Sequence, residues 1–232
     1  SGELLAESCT HPTIGTAHPP GYPTFLQLAS LVRKLPLPFL ARPLLSSDYK
    51  KIEYDVGNPL TVAWRVNVMC AVLGAICAAC IASTTFTMLS LLSLHKFKDA
   101  VSVIAGLAFA FSPLVWEYSV TAEVFALNNA ILAAQLMFTV RILALRNSVE
   151  SSDHRFESIY LALGAFLSGL AMSNQHASAL QLVVVIPFAF FATIKRFTPF
   201  RFVVVVVSFL AGISPYYSLY LAAKEPKLGS WG

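Results

Sequence analysis

Long apolar stretches separated by short polar turns make up most of the chain after residue 65. Each stretch is long enough to cross the hydrocarbon core of a bilayer as a helix, which takes about 17–25 residues. We predict six spans, at residues 66–94, 100–116, 122–145, 157–174, 177–194 and 200–223. Pro187 and Pro215 fall within predicted spans, and membrane helices tolerate proline where neighbouring groups satisfy the backbone.

The first 65 residues follow a different pattern. Apolar side chains recur at helical spacing at Phe25, Leu28, Ala29, Leu31, Val32 and Leu35, with Arg33 and Lys34 opposite. This pattern predicts an amphipathic helix over residues 24–35 that lies at the membrane interface and does not span it. Residues 42–62 are rich in charged and turn-forming side chains and predict an exposed loop.

Composition supports a membrane protein. Hydrophobic residues make up 56% of the 232 residues and charged residues only 12%, with a mean hydropathy of +0.68. Soluble domains carry about 25% charged residues. We therefore predict an all-α, polytopic transmembrane helical bundle. The net charge of +4 is too small on this background to indicate a nucleic-acid partner, and we expect membrane lipid around the chain.

An even number of spans places both ends of the chain on one side of the membrane. Residues 1–65, the turns 116–123 and 174–176, and residues 224–232 would then share one end of the bundle, here called the polar end. The two polar-end turns contain no Lys or Arg, whereas the short turns opposite are basic. Basic short loops stay in the cytoplasm, so the polar end is predicted to be extracytoplasmic.

Ionisable side chains are missing from the middle of the predicted spans and gather near their ends. Intramembrane charges mark ion and proton pathways, so this pattern argues against a charge-coupled transporter and favours an enzyme that acts on a lipid-linked substrate at the membrane surface. Glu3 is the leading candidate for a general base, because a carboxylate can accept the proton of an attacking hydroxyl. The alternative is a solvated loop acid.

The segment from His18 to Pro23 contains three prolines, which fix φ and favour extended geometry in the residues before them. It is either a stiff pocket wall, with His18 and Tyr22 facing a phosphate or sugar, or a junction between loop and helix. Arg65 and Asn67, at the start of the first span, are suited to binding a phosphate or to anchoring the helix among lipid headgroups.

Two turns supply the remaining candidates. Glu117 and Glu123 flank the turn 116–123, where Thr121 can cap the next helix and Glu123 can interact with its dipole. Asn174, Gln175 and His176 form a polar tripeptide that either contacts a ligand or only makes a tight turn. No set of side chains has metal-ligand spacing, and Cys77 and Cys80 fall inside an apolar span as packing residues. We expect no metal and no cofactor.

Several of these segments, taken in order, resemble the transmembrane protein 260-type protein O-mannosyltransferase family. The matching residues are Ser1 to Leu5, Ala17 to Pro23, Trp64 to Asn67, Trp116 to Asn129, Ser173 to His176, Pro215 with Tyr216, and Trp231 with Gly232. The resemblance implies a fold like that of the C-type glycosyltransferases and adds Trp231 to the candidate donor-binding residues. It also implies a second catalytic carboxylate, an Asp that precedes Ser1 in the family.

The resemblance implies that mannose moves from dolichyl-phosphate mannose to Ser or Thr of luminal protein domains, in a multi-pass protein of the endoplasmic reticulum membrane. We expect residues 1–232 to be part of one membrane-embedded glycosyltransferase domain and to be inactive alone. Its parts would be a luminal catalytic loop (1–65), six transmembrane helices (66–223) and a luminal end (224–232). The alternatives are a non-catalytic lipid or solute carrier and a scaffold, for which Gly164 and Ser168 offer a small-residue helix contact.

Overall fold

The computed structural model describes residues 22–34, 59–147, 154–194 and 197–224, and within these ranges the regular structure is helical. The all-α prediction is therefore confirmed. In chain order the helices are α1 (Pro23–Lys34), α2 (Pro59–Leu91), α3 (Lys98–Ala110), α4 (Pro113–Ser119), α5 (Val124–Asn147), α6 (His154–Asn174), α7 (Ala179–Thr193), α8 (Pro199–Ile213) and α9 (Tyr216–Lys224), with a 3₁₀ turn at His176–Ser178.

Two of the six predicted spans are not single long helices in the part of the chain that the structure describes. Among the described residues, four helices are long and apolar enough to cross a membrane: Ala63–Leu91, Val124–Arg146, Phe156–Asn174 and His176–Thr193. The predicted second span is broken into α3 and α4, which meet at 67°, and counting them together gives a fifth crossing. The predicted sixth span is the 15-residue α8, which stops before Pro215. Proline after each break removes a backbone donor and disfavours helix at the residue before it.

Helix α1 forms where it was predicted, and it packs across one end of the bundle. Phe25 and Leu26 are fully buried, whereas Leu31 is 56% exposed. The buried side of α1 packs against α2 and α6. Phe25, Leu28, Ala29 and Val32 of the predicted apolar face lie in this contact, and Leu31 does not. Helix α2 begins at Pro59, so the last residues of the predicted loop 42–62 are helical, and the rest of that loop lies outside the described residues.

Helix α5 is the centre of the bundle and packs against α2, α6 and α7, while α6 also packs along α8. The closest approach of α6 and α8 is made at Gly169 and Gly212, where an added Cβ would meet backbone atoms of the other helix. Small residues allow membrane helices to approach in this way. Gly164, which the sequence offered for such a contact, faces open space. It lines a cavity of about 290 Å³ between α5, α6, α7 and α8.

Charged side chains cross-link the helices at the end opposite the polar end. Arg201 of α8 forms an ion pair with Glu157 of α6 at 3.0 Å, and the two side chains are only 11% and 5% exposed. Arg141 of α5 donates to Ser83 of α2 at 3.0 Å and lies against the Tyr160 ring. Most described basic side chains in helices thus lie at the end opposite the polar end, the same end as the short basic turns.

Candidate functional site

The polar end is assembled by uncharged hydrogen bonds between segments far apart in sequence. Thr24 of α1 pairs with Ser173 of α6 at 2.6 Å. Gln27 of α1 donates to the Pro215 carbonyl at 3.3 Å and to Ser218 of α9 at 3.0 Å. These bonds fasten α1 across the ends of α6 and α9, next to the segment that precedes α1 in the chain.

An apolar cluster lies beneath these bonds and explains why α1 docks there. Phe25 and Leu26 of α1 pack with Val66 of α2, Ala122 before α5 and Ala171 of α6, all of them at most 1% exposed. Burying apolar side chains stabilises the contact by about 1.5–3 kcal/mol for each large one. The cluster fixes the ends of α2, α5 and α6 relative to α1, and so fixes the spacing of the polar residues above it.

Arg65 and Asn67 lie in the first described turns of α2, beside this cluster. Arg65 is 6% exposed, and the Asn67 side-chain oxygen is buried without a hydrogen-bond donor among the described residues. A buried polar atom left without a partner costs about 1–3 kcal/mol. Asn67 therefore presents an acceptor to which a water molecule or a ligand can donate.

The structure separates the roles of the predicted tripeptide. Asn174 ends α6 and is fully buried, with its amide nitrogen donating to the Val124 carbonyl at 3.3 Å. Its side-chain oxygen is buried and has no donor within the described part of the chain. Gln175 is half-buried, and His176 is exposed in the 3₁₀ turn. The tripeptide is thus a structural link to α5 followed by an accessible imidazole.

His176 is hydrogen-bonded through Nε2 to the hydroxyl of Tyr216, the first residue of α9. The same hydroxyl donates to the Met172 carbonyl at 3.0 Å. That carbonyl belongs to the last turn of α6, where helix carbonyls lack an intrahelical donor. Partial burial raises the pKa of Tyr216 above its ordinary value, so the phenol keeps the proton it donates.

The predicted turn 116–123 is wrong over its first half, because α4 extends to Ser119. Glu117 is exposed on α4, and Thr121 donates to the Glu117 carbonyl at 3.0 Å, so it does not cap α5. Glu123 is half-buried just before α5, and the Cys70 thiol of α2 lies 3.8 Å from its carbonyl oxygen. Glu123 therefore lies with Arg65 and Asn174 at the polar end, while Glu117 points into the surroundings.

Tyr22 joins the described part of the site to the segment before it. It is half-buried against the apolar cluster, and its carbonyl accepts the Leu26 amide at 3.1 Å. Its φ of 43° lies in the left-handed region, which is uncommon for a side chain with a Cβ and especially before a proline. Strain of this kind collects at functional sites.

Glu3, His18 and Trp231 lie outside the described residues, so their assignment stays a prediction.

Sequence reasoning missed four residues of the polar end as site candidates: Thr24, Asn128, Ser173 and Tyr216. Asn128 accepts a hydrogen bond from Ser178 at 2.7 Å. Pro215 was the available signal for Tyr216, since a proline can end a helix and so place the residues after it at the end of the bundle. Among the described residues no group of three or more His, Cys, Asp or Glu side chains could hold a metal ion.

Comparison with known proteins identifies relatives of the chain. The family described as Protein O-mannosyl-transferase TMEM260 N-terminal domain matches residues 49–198. The chain is 33% identical over 221 residues to Protein O-mannosyl-transferase TMEM260 of Mus musculus. The matched region covers 94% of this chain and 26% of that protein. It is 28% identical over 242 residues to Protein O-mannosyl-transferase tmem260 of Dictyostelium discoideum, covering 100% of this chain and 26% of the relative.

The chain therefore spans about a quarter of the length of the curated relatives it matches. No solved structure matches it. The family match covers α2 to α7, which contain Arg65, Glu123, Asn174 and His176.

Proposed function

The chain belongs to the Protein O-mannosyl-transferase TMEM260 N-terminal domain family, and we propose that it forms part of the catalytic domain of a protein O-mannosyltransferase. The observation that carries the proposal is the family match over residues 49–198. The polar end described above supports it, because it gathers hydrogen-bonding groups at one end of an apolar helical bundle, where a lipid-linked sugar can present its headgroup while its chain stays in the membrane.

The proposed reaction is a single displacement at the anomeric carbon of the sugar. The donor is dolichyl-phosphate mannose, and the acceptor is a Ser or Thr hydroxyl of a luminal protein domain. Glu3, or the Asp that precedes this chain in the family, takes the hydroxyl proton. The hydroxyl oxygen forms its bond to C1 as the bond from C1 to the phosphate oxygen breaks, and dolichyl phosphate leaves with the electron pair. The configuration at C1 is inverted.

Several groups of the polar end are suited to binding the donor. The departing phosphate gains negative charge, which preorganised cations and hydrogen-bond donors stabilise. Arg65, His18 and His176 supply such groups in this proposal, and Tyr22, Asn67 and Trp231 bind the sugar or phosphate. Glu123, Asn174 and Gln175 complete the polar-end candidates, with Asn174 acting by fixing the position of α5. Glu117 would contact the donor only from the exposed side of α4. The protein would work as a multi-pass protein of the endoplasmic reticulum membrane.

The test is mannose transfer by the full-length protein reconstituted in lipid. Labelled dolichyl-phosphate mannose and a folded acceptor domain are supplied, and label on Ser or Thr is measured. Glu3→Gln should abolish transfer while membrane insertion is unchanged, because the amide cannot take the proton. Glu7→Gln is the matched control, an acid four positions further along the same segment. Wild-type turnover by Glu3→Gln would reject Glu3 as the base.

The same assay tests the function itself. If the wild-type protein moves the donor lipid between leaflets or compartments without labelling the acceptor, the transferase proposal fails and a carrier remains. If it neither transfers nor moves the donor, a scaffold remains.

A further inference from the structure

The hydrogen bonds around Tyr216 determine which nitrogen of His176 carries a proton. A phenol hydroxyl has one hydrogen to donate, and at Tyr216 the Met172 carbonyl is its acceptor at 3.0 Å. The contact between Tyr216 and His176 Nε2 must then run the other way, with Nε2–H donating to the phenol oxygen. Nε2–H therefore donates to the Tyr216 oxygen in the neutral ring and in the imidazolium alike.

The second ring nitrogen, Nδ1, has no hydrogen-bond partner in the described part of the chain, and His176 is exposed at the polar end. The ring is also held in place by the Tyr216 ring, whose centroid lies 6.0 Å away at an interplanar angle of 31°. In the neutral ring Nδ1 carries no hydrogen, so an anion can be bound only by the imidazolium, which offers Nδ1–H while Nε2–H remains bonded to Tyr216. Hydrogen bonds from charged donors to phosphate are among the strongest in proteins.

We propose that Tyr216 is a positioning residue that orients His176, so that Nδ1–H of the imidazolium binds the phosphate of the polyprenyl-phosphate sugar donor. This inference rests on the proposed function and assigns a role to a residue outside its candidate set. Helix α9 is brought to this place by α1, since Gln27 bonds both Pro215 and Ser218 on either side of the Tyr216 position. Helix α1 thus fixes the start of α9, and the start of α9 in turn fixes the imidazole of His176.

Kinetics of the full-length protein test the assignment. Tyr216→Phe removes the oxygen that orients the imidazole but keeps the ring, and His176→Ala removes the imidazole but leaves the bond from Tyr216 to Met172. Each variant should raise the KM for dolichyl-phosphate mannose about tenfold, the effect of losing one charge-assisted hydrogen bond. The KM for the acceptor domain should not change. The double variant should lose no more than either single one, because both remove the same contact.

Tyr217→Phe is the matched control, since Tyr217 is the next residue, is 63% exposed and stacks on Tyr220. It should keep the wild-type KM for the donor. A wild-type enzyme that transfers mannose, with Tyr216→Phe and His176→Ala at the wild-type donor KM, would overturn the inference and leave the transferase intact. Additive losses in the double variant, or equal rises in both KM values, would also overturn it. Absence of transfer by the wild-type protein would overturn both proposals together.

Discussion

Replacing Gly212 by alanine should force α6 and α8 apart at the polar end. A Cβ at this position would meet the carbonyl oxygen of Phe166, a backbone atom that cannot move away without its helix. The Gly212 carbonyl also accepts a hydrogen bond from Ser173 at 3.4 Å, and Ser173 in turn pairs with Thr24. A shift of α8 is therefore transmitted to the contact that holds α1.

Gly164→Ala provides the matched comparison, because a Cβ there meets nothing within 4 Å. Both changes gain the same helix propensity, up to about 1 kcal/mol. The difference in stability between the two variants therefore measures the cost of the steric clash at Gly212 alone. Extra methyl or methylene groups in a filled interface cost about 1–3 kcal/mol. We expect Gly212→Ala to be less stable than Gly164→Ala by this amount.

The assay is heat denaturation of the full-length protein in detergent, with the remaining monodisperse fraction measured by size-exclusion chromatography. For a domain of 150–250 residues each kcal/mol shifts the midpoint by about 2–4 °C. The two variants should therefore differ by up to about 12 °C, and by less if a larger part of the full-length protein unfolds together, with Gly212→Ala the lower. Equal midpoints, or a lower midpoint for Gly164→Ala, would refute the close approach of α6 and α8 at Gly212.

Two further substitutions test buried polar groups. Glu157→Ala should destabilise the protein by about 3–5 kcal/mol, because it leaves Arg201 without its partner in a buried ion pair. Replacing Glu157 by Leu together with Arg201 by Met should restore most of that stability in the same heating assay. Gln135→Met should leave the midpoint unchanged or raise it by a few degrees, since the Gln135 side-chain oxygen is buried without a donor among the described residues. A drop of more than about 1 kcal/mol for Gln135→Met would contradict this, because losing the bond from Gln135 Nε2 to Ser168 at 2.9 Å would then outweigh the removal of the unpaired oxygen.

Hydropathy located the helices well and their breaks poorly. The cores of α2, α5, α6 and α7 lie within the predicted spans, because a continuous apolar run of this length has few alternatives to a membrane helix. The prediction treats Pro215 as tolerated within a span, as Pro187 is within α7, although a proline can also end a helix. For this reason the predicted spans 100–116 and 200–223 ran through the breaks before Pro113 and Pro215.

The grouping of candidate site residues could be predicted in part. The turn positions of Glu123, Asn174 and His176 follow from the number and length of the helices around them, and the structure brings all three to one end. The Tyr216 contact could not be derived, since it depends on how far α8 runs before its break. The burial of Asn174 could not be predicted either, because a polar residue in a turn is expected to be exposed. It is buried because its side-chain amide donates to the Val124 carbonyl of another helix.

The contacts of α1 have a consequence for biosynthesis. Its partners Ser173 and Ser218 lie 149 and 191 residues away in sequence. A ribosome adds about 5–20 residues per second, so roughly 10–40 s separate the appearance of α1 from that of the last group it bonds. During this interval Gln27 lacks its acceptors at Pro215 and Ser218, whereas the apolar side of α1 can already dock on α2. The polar end therefore closes only after α9 has been synthesised.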